Sequence, residues 1–205
     1  QVVVDIPSIK VFPVETMHKH IKTGLILGTH PMFGPGARSM ANQNFILTPT
    51  NQEETVLAEK IRGYLQEREA KVTLMTPHEH DEMMTVTLGL SHFIAIASAD
   101  TLLGLGRLKK METIGGTTYK LLLTLVESVI SEDAEFYSSL QMSLPNVAEI
   151  EELFQRNSKT WVELVKNKDR QGFVRRMNAL RARFKRDNPD FGKAYQDMYK
   201  ILEGL

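Results

Sequence analysis

The chain changes its hydrophobic periodicity once, at Thr76-Pro77, and that change limits its fold more than any other feature of the sequence. Before it, short β-rich runs (Val2-Val3-Val4, Leu25-Ile26-Leu27, Phe45-Ile46-Leu47 and Lys71 to Met75) alternate with helical patterns near 11–22 and 52–68, an α/β signature. After it only helical patterns occur, near 77–104, 118–131, 133–143, 146–167, 170–186 and 189–203. The residues at the switch explain it: Thr76 is an N-cap, Pro77 suits the first helical position, where its missing N–H is not needed, and Glu79 follows as in a capping box. Thr50-Asn51-Gln52-Glu53 repeats the box, and Asn146 with Glu149, and Asn188 before Pro189, mark two later starts. Gly115-Gly116 is expected to be a helix-to-helix turn with Thr117 or Thr118 as cap.

Two domains are therefore expected, an α/β piece over 1–76 and an all-helical one over 77–205. The α/β piece begins inside a strand, and the Gly-rich turn that a dinucleotide fold places after its first strand is not in it. It reads as the later part of such a domain. Val2-Val3-Val4, apolar on both faces, should leave an apolar edge or face that another segment or a partner chain covers.

Charge narrows the function. Lys and Arg number 25 against 25 Asp and Glu, which excludes a polyanion-driven nucleic-acid binder, and the absence of cysteine excludes disulfides and thiolate-held zinc. With no basic and then apolar leader, a cytoplasmic setting is the default. Leu88 to Gly106 is apolar, but His92, Ser98 and Asp100 within it would together cost several kcal/mol in lipid, so it is read as a buried helix with no membrane partner. The basic stretch Arg175 to Arg186 is read as a solvated face backed by a buried stripe of Met177, Leu180 and Phe184.

Of six histidines, the pairs His18/His20 and His78/His80 are two apart, which on a helix points them about 200° apart, so no metal site is expected. His18, His20 and His78 are taken as solvated. His30 follows a strand and precedes Pro31-Met32-Phe33-Gly34-Pro35-Gly36. Strand carboxyl ends are where α/β folds place their chemistry, and an imidazole with a pKa of about 6.5 can accept a hydroxyl proton there. A loop histidine bonded only to backbone is the alternative. Ser8, past the strand end in Asp5-Ile6-Pro7-Ser8-Ile9-Lys10, should share the rim with His30 if the two strands are parallel neighbours. Without an Asp at a third corner this is not a hydrolase triad. His92 lies twelve positions after His80, about 120° further round a regular helix, and could equally be a core histidine bonded to a carbonyl.

Taken together, Asp5-x-x-Ser8-x-Lys10, then Thr29-His30-Pro31-Met32-Phe33-Gly34-Pro35, then His80-Asp81 with His92 twelve on, resemble the prephenate dehydrogenase family of tyrosine biosynthesis, in order and spacing along essentially the whole chain. The segment Asn167-Lys168-Asp169-Arg170-Gln171-Gly172-Phe173 resembles microbial, especially archaeal, members. The resemblance implies the end of a Rossmann-like dinucleotide-binding domain followed by an all-α dimerisation domain. It implies a homodimer that uses NAD or NADP to decarboxylate prephenate (or arogenate) oxidatively, this chain being a portion that is inactive alone. His30 corresponds to the catalytic histidine and Ser8 to the serine orienting it; Ile6, Pro7 and Pro31 correspond to residues flanking the cofactor. His92 corresponds to a pocket-wall histidine, and His80 to one at the substrate side of a helix start, whose positive end favours a neutral ring.

Two positions depart from the family pattern. Ser128 stands where members carry an Arg for a substrate carboxylate, leaving Lys120 or Arg38 to substitute, and Leu88 stands where a polar residue is usual. These departures keep open a competing expectation, a non-catalytic helical dimerisation or ligand-sensing module built on the same scaffold. A homodimer is expected on other grounds too: Leu88, Leu90, Phe93, Ile94, Ile96, Leu102, Leu103, Leu105, Leu121, Leu122, Leu123 and Leu125 surround both faces of their helices.

Overall fold

A computed structural model describes residues 1–34 and 36–203; Pro35 of the expected catalytic loop lies outside the described residues. The first part runs β1 (Val2–Val4), α1 (Val11–His20), β2 (Leu25–Pro31), β3 (Asn44–Thr48), α2 (Gln52–Gln66) and β4 (Lys71–Leu74). The strands form one mixed sheet in the order β1-β2-β3-β4. β1 and β2 are parallel, with Val4 opposite Leu27; β2 and β3 are antiparallel, with His30 opposite Ile46; β3 and β4 are parallel again. β2 and β3 are buried along nearly their whole length, which is why they read as continuous apolar runs rather than alternating ones. β1 is an edge strand with Val2 and Val4 about half exposed, and beyond it Ile6 and Phe12 are each 70% exposed.

Close approach of α1 to the sheet depends on Gly28. A Cβ there would lie 2.2 Å from Thr48 Oγ1 and 2.7 Å from Val14 Cγ2. Both neighbours are buried, so Gly28→Ala should destabilise by about 1–3 kcal/mol, the usual range for overpacking. A denaturant midpoint left where the wild type has it would show that α1 can move aside freely.

The α2 start differs by one residue from the expected box. Asn51 is the N-cap, accepting from the Glu54 amide, and Glu54 Oε2 takes the Thr50 N–H and hydroxyl. His18, expected to be solvated, lies 2.9 Å from Thr50 Oγ1 and 3.2 Å from Glu54 Oε1, tying α1 to this cap.

The helical part comprises α3 (Pro77–Met84), a π-helical stretch (Thr85–Leu90), α4 (Ser91–Gly104), α5 (Leu108–Ile114), α6 (Thr117–Ile130), α7 (Ala134–Ser143), α8 (Val147–Lys166), α9 (Arg170–Asp187), a 3-10 turn (Phe191–Lys193) and α10 (Ala194–Glu203). Thr76 caps α3 as expected, its hydroxyl accepting from the Glu79 amide at 3.2 Å. α5 was not anticipated: it has only seven residues and no side-chain cap, too little to carry a period. Gly116, not a threonine, is the N-cap of α6, and no side chain caps it. The π-helical stretch breaks the 3.6-residue period on which the phase of His92 relative to His80 was reckoned. Within it, the Gly89 carbonyl accepts from Gln141 Nε2 at 2.9 Å, and a Cβ on Gly89 would lie 2.9 Å from Val147 Cγ2.

The chain packs as two compact units, Gln1–Ser91 with Ala134–Val147, and His92–Asp133 with Ala148–Leu205. In the first, Ile46, Met84, Leu140 and Leu144 form a core against which Met75, Leu88 and Val147 pack. In the second, apolar surface is left uncovered. α4, expected to be buried, buries only Ala95 and Ala99, while Leu103, Leu105 and Ile114 are exposed. The α9 stripe of Met177, Leu180 and Phe184, expected to be buried, is likewise exposed. The run Pro77–Gly104 is long and apolar enough to cross a membrane by length and composition. Its first turn, however, carries His80 and Asp81 buried and bonded to protein groups, an arrangement made inside a protein rather than in lipid.

Candidate active site

At the carboxyl end of β2 the strand delivers His30 into the interior of the first unit, 5% exposed. The α3 cap fixes the next two functional residues, since His80 and Asp81 fall in the first turns of that helix and both are buried. His30 Nδ1 lies 2.8 Å from His80 Nε2, and His80 Nδ1 lies 2.7 Å from Asp81 Oδ1. Asp81 Oδ1 also accepts the Lys10 N–H at 2.7 Å and its Oδ2 the Val11 N–H at 3.0 Å. Those amides open α1, which has no side-chain cap of its own, so Asp81 caps it from across the unit and gains the positive end of its dipole.

A second buried network lies beside the first. The Lys10 side chain is fully buried, and its Nζ sits 2.7 Å from Asp5 Oδ1, which also accepts the Thr29 N–H at 2.7 Å. The Thr29 hydroxyl donates to the Asp5 carbonyl. Asp5 thereby fastens the end of β1 to the residue preceding His30.

These surroundings set the charges. Burial, then the neighbouring His80 and Lys10, push the His30 pKa from 6.5 down to about 4, with Asp81 opposing, so the ring is neutral near pH 7. Burial alone would raise the Asp81 carboxyl, but the bonds from His80 and from the Val11 and Lys10 amides outweigh it and hold it below the usual carboxylate value. Burial lowers Lys10 against the pull of Asp5, and lowers His92.

The other expected residues divide between the units. Ile6 and Pro7 are exposed after β1, Ser8 and Pro31 are half-buried, and Arg38 is exposed on the loop from β2 to β3. No hydrogen bond among the described residues joins Ser8 to His30; the partner of His30 is His80. His80 corrects its expected place at the substrate: it is fully buried with both ring nitrogens engaged by protein, leaving none to offer. In the second unit, His92 is half-buried at the start of α4, and Lys120 is exposed on α6. Ser128 is exposed, its hydroxyl donating to the Leu125 carbonyl of its own helix. Leu88, where a polar residue is usual, packs on the first unit's core. The hollow in the second unit, lined by Leu102, Leu108, Leu123 and Ile130, is almost wholly apolar and unsuited to an anionic ligand. Among the described residues no three His, Asp or Glu gather as metal ligands.

Sequence reasoning named His30, His80 and Asp81 but not their bonded chain, and it gave Asp5 and Lys10 no role. A contact spanning fifty positions leaves no local signal; the one available hint was a Lys two residues past Ser8, immediately before a helix start.

Comparison with known proteins bears on the family and the fold. The family described as prephenate dehydrogenase, nucleotide-binding domain, matches residues 1–74, and that described as prephenate dehydrogenase, dimerization domain, matches residues 76–179. A probable arogenate/prephenate dehydrogenase of Methanocaldococcus jannaschii is 36% identical over 183 residues, covering 88% of this chain and 41% of that protein. A T-protein of Haemophilus influenzae is 31% identical over 182 residues, covering 86% and 46%. The chain thus spans less than half the length of these curated relatives. Among solved structures, prephenate dehydrogenase from Aquifex aeolicus in complex with hydroxyphenyl propionate and NAD+ has a TM-score of 0.70 at 20% identity, covering 91% of this chain and 67% of that one. Synechocystis arogenate dehydrogenase has a TM-score of 0.66 at 17% identity, covering 89% and 69%. The two domain models together match residues 1–74 and 76–179, and the chain belongs to the prephenate dehydrogenase family.

Proposed function

We propose that these residues carry the proton-handling half of an oxidative decarboxylation of prephenate or arogenate. The observation that supports this most is His30, neutral and nearly buried at the carboxyl end of β2, beside the parallel strand β1. Among the described residues no protein group bonds its Nε2, and that atom is not among the sealed polar atoms without a partner. The residues also fit a nicotinamide dinucleotide: Ile6, 70% exposed, with Pro7 and Pro31 offers an apolar face at the ends of β1 and β2. When bound, NAD or NADP would accept the hydride from the carbinol carbon. His30 takes the proton of the same hydroxyl; the bond to the ring carboxylate then breaks, its electron pair enters the ring, carbon dioxide leaves, and His30 returns a proton to the phenolate oxygen. Within the first unit, Ser8 and the cation Arg38 are the residues we assign to the substrate; the arginine acts as a mobile charge rather than a fixed fork.

The test is reduction of NAD or NADP by the intact protein given prephenate or arogenate. Turnover with one pair supports the proposal. A folded intact protein that reduces neither cofactor with either substrate overturns it in favour of the non-catalytic module.

The uncovered apolar residues of the second unit support a homodimer. Leu103, Leu105, Ile114, Met177 and Phe184 are exposed together with the lining of the apolar hollow, more than a lone chain ordinarily leaves open. Sedimentation at micromolar concentration should give a dimer, and a monomer would contradict this.

A further inference from the structure

We propose that Asp81 and His80 are positioning residues that fix the tautomer of His30, so that its Nε2 is left as the proton acceptor. The inference rests on the function proposed above and adds a role for two buried residues that cannot reach a substrate.

The argument follows protons along the chain of bonds. Asp81 receives two backbone N–H groups, so it is there as an acceptor and carries no proton to give. His80 Nδ1, 2.7 Å from Asp81 Oδ1, must then be the donor. A neutral imidazole has one donor and one acceptor nitrogen, so His80 Nε2 accepts. Across the 2.8 Å contact His30 Nδ1 must donate, and the remaining His30 nitrogen, Nε2, keeps its lone pair. One carboxylate thereby sets two rings. Because the α1 amides hold Asp81 from the other side, the setting is part of the fold rather than induced by a ligand. Proton uptake at Nε2 makes His30 a cation whose Nδ1–H already points at an oriented acceptor backed by a negative charge, so little reorganises during the reaction.

Three variants separate this role from mere packing. In Asp81→Asn the NH2 group must displace one backbone donor, Lys10 or Val11, and no negative charge remains to fix the His80 tautomer or to back the His30 imidazolium. Turnover of the intact enzyme should fall by ~10²-fold or more with KM little changed, as expected for a group acting through a general base. His80→Gln keeps one donor for Asp81 and one acceptor for His30 and should retain most of the turnover, whereas His80→Met, of similar bulk, should lose it. Nitrogen NMR of histidine-labelled wild-type protein reads the tautomer directly and needs no turnover. A His30 protonated on Nδ1 and bare on Nε2 supports the proposal; the reverse tautomer, or an imidazolium His80 at neutral pH, overturns it. Equal turnover in His80→Gln and His80→Met overturns the catalytic role even with the expected tautomer. If the wild type shows that tautomer yet reduces no cofactor, the functional reading fails and the tautomer assignment stands.

Discussion

Replacing His30 by Asn should lower turnover of the intact protein by ~10²-fold or more, the low end for removal of a general base, while leaving the fold in place. Asn can still donate to His80 from its amide, so the bonded chain to Asp81 persists and the loss is confined to the proton acceptor. Near-wild-type turnover would remove His30 from the chemistry. The same substitution has a second expected signature in the pH dependence of stability. The folded pKa of His30 is about 4, whereas an unfolded histidine titrates near 6.5, so between those values the unfolded chain binds more protons. Stability that His30 contributes is therefore fully present above about pH 6.5 and is lost as pH falls toward 4, by at most about 3 kcal/mol at 1.36 kcal/mol per unit. His30→Asn should flatten that part of the curve, measured from urea midpoints across the window. Identical slopes in variant and wild type would mean that the ring is not held neutral by burial.

The coarse architecture was readable because its signals are local. Thr76-Pro77-His78-Glu79 states a helix start by capping chemistry alone, and the β-rich runs Leu25-Ile26-Leu27 and Phe45-Ile46-Leu47 mark β2 and β3, whereas Val2-Val3-Val4, apolar on both faces like a central strand, lies at the sheet edge. Parallel pairing of β1 with β2, the condition for Ser8 and His30 to share a rim, also holds. What stayed hidden depends on distance in sequence or on unmarked geometry. The antiparallel step between β2 and β3 leaves no residue signature, and α5 is too short to show a period. The π-helical stretch defeated the phase argument for His92 because no residue in Thr85-Val86-Thr87-Leu88-Gly89-Leu90 announces an extra residue per turn; only the Gln141 side chain on the Gly89 carbonyl shows what accommodates it. At the site, the strand-end position and then the resemblance pointed to His30, but the link through His80 to Asp81 and α1 needed coordinates. His80 was misplaced for that reason: a histidine at a helix start looks available until its two nitrogens are found to be spent.

Asp5→Ala is expected to be the most destabilising single change away from the reacting atoms, at about 3–5 kcal/mol, the range for removing one partner of a buried ion pair. The Lys10 side chain is fully buried, and its ammonium has Asp5 as its hydrogen-bonded acid. Without that carboxylate the lysine must either stay charged in a low-dielectric setting or give up its proton, and the Thr29 N–H loses its acceptor as well. Pairing the change with Lys10→Met should restore much of the loss, since an apolar side chain of similar length needs no counter-charge, whereas Asp5→Asn should fall between, still accepting from Thr29 but not balancing Lys10. Denaturant midpoints of the three variants decide this. A cost below about 1 kcal/mol for Asp5→Ala, typical of a solvated pair, would mean that water reaches Lys10. The consequence extends to chemistry, because Thr29 precedes His30 on β2 and the Lys10 amide is one of the two that hold Asp81. Both buried networks thus meet at Lys10, through its side chain on one hand and its backbone on the other. A variant that keeps the fold but frees Asp5 should therefore lose turnover more than affinity, since the strand end that aims His30 is no longer fastened to β1.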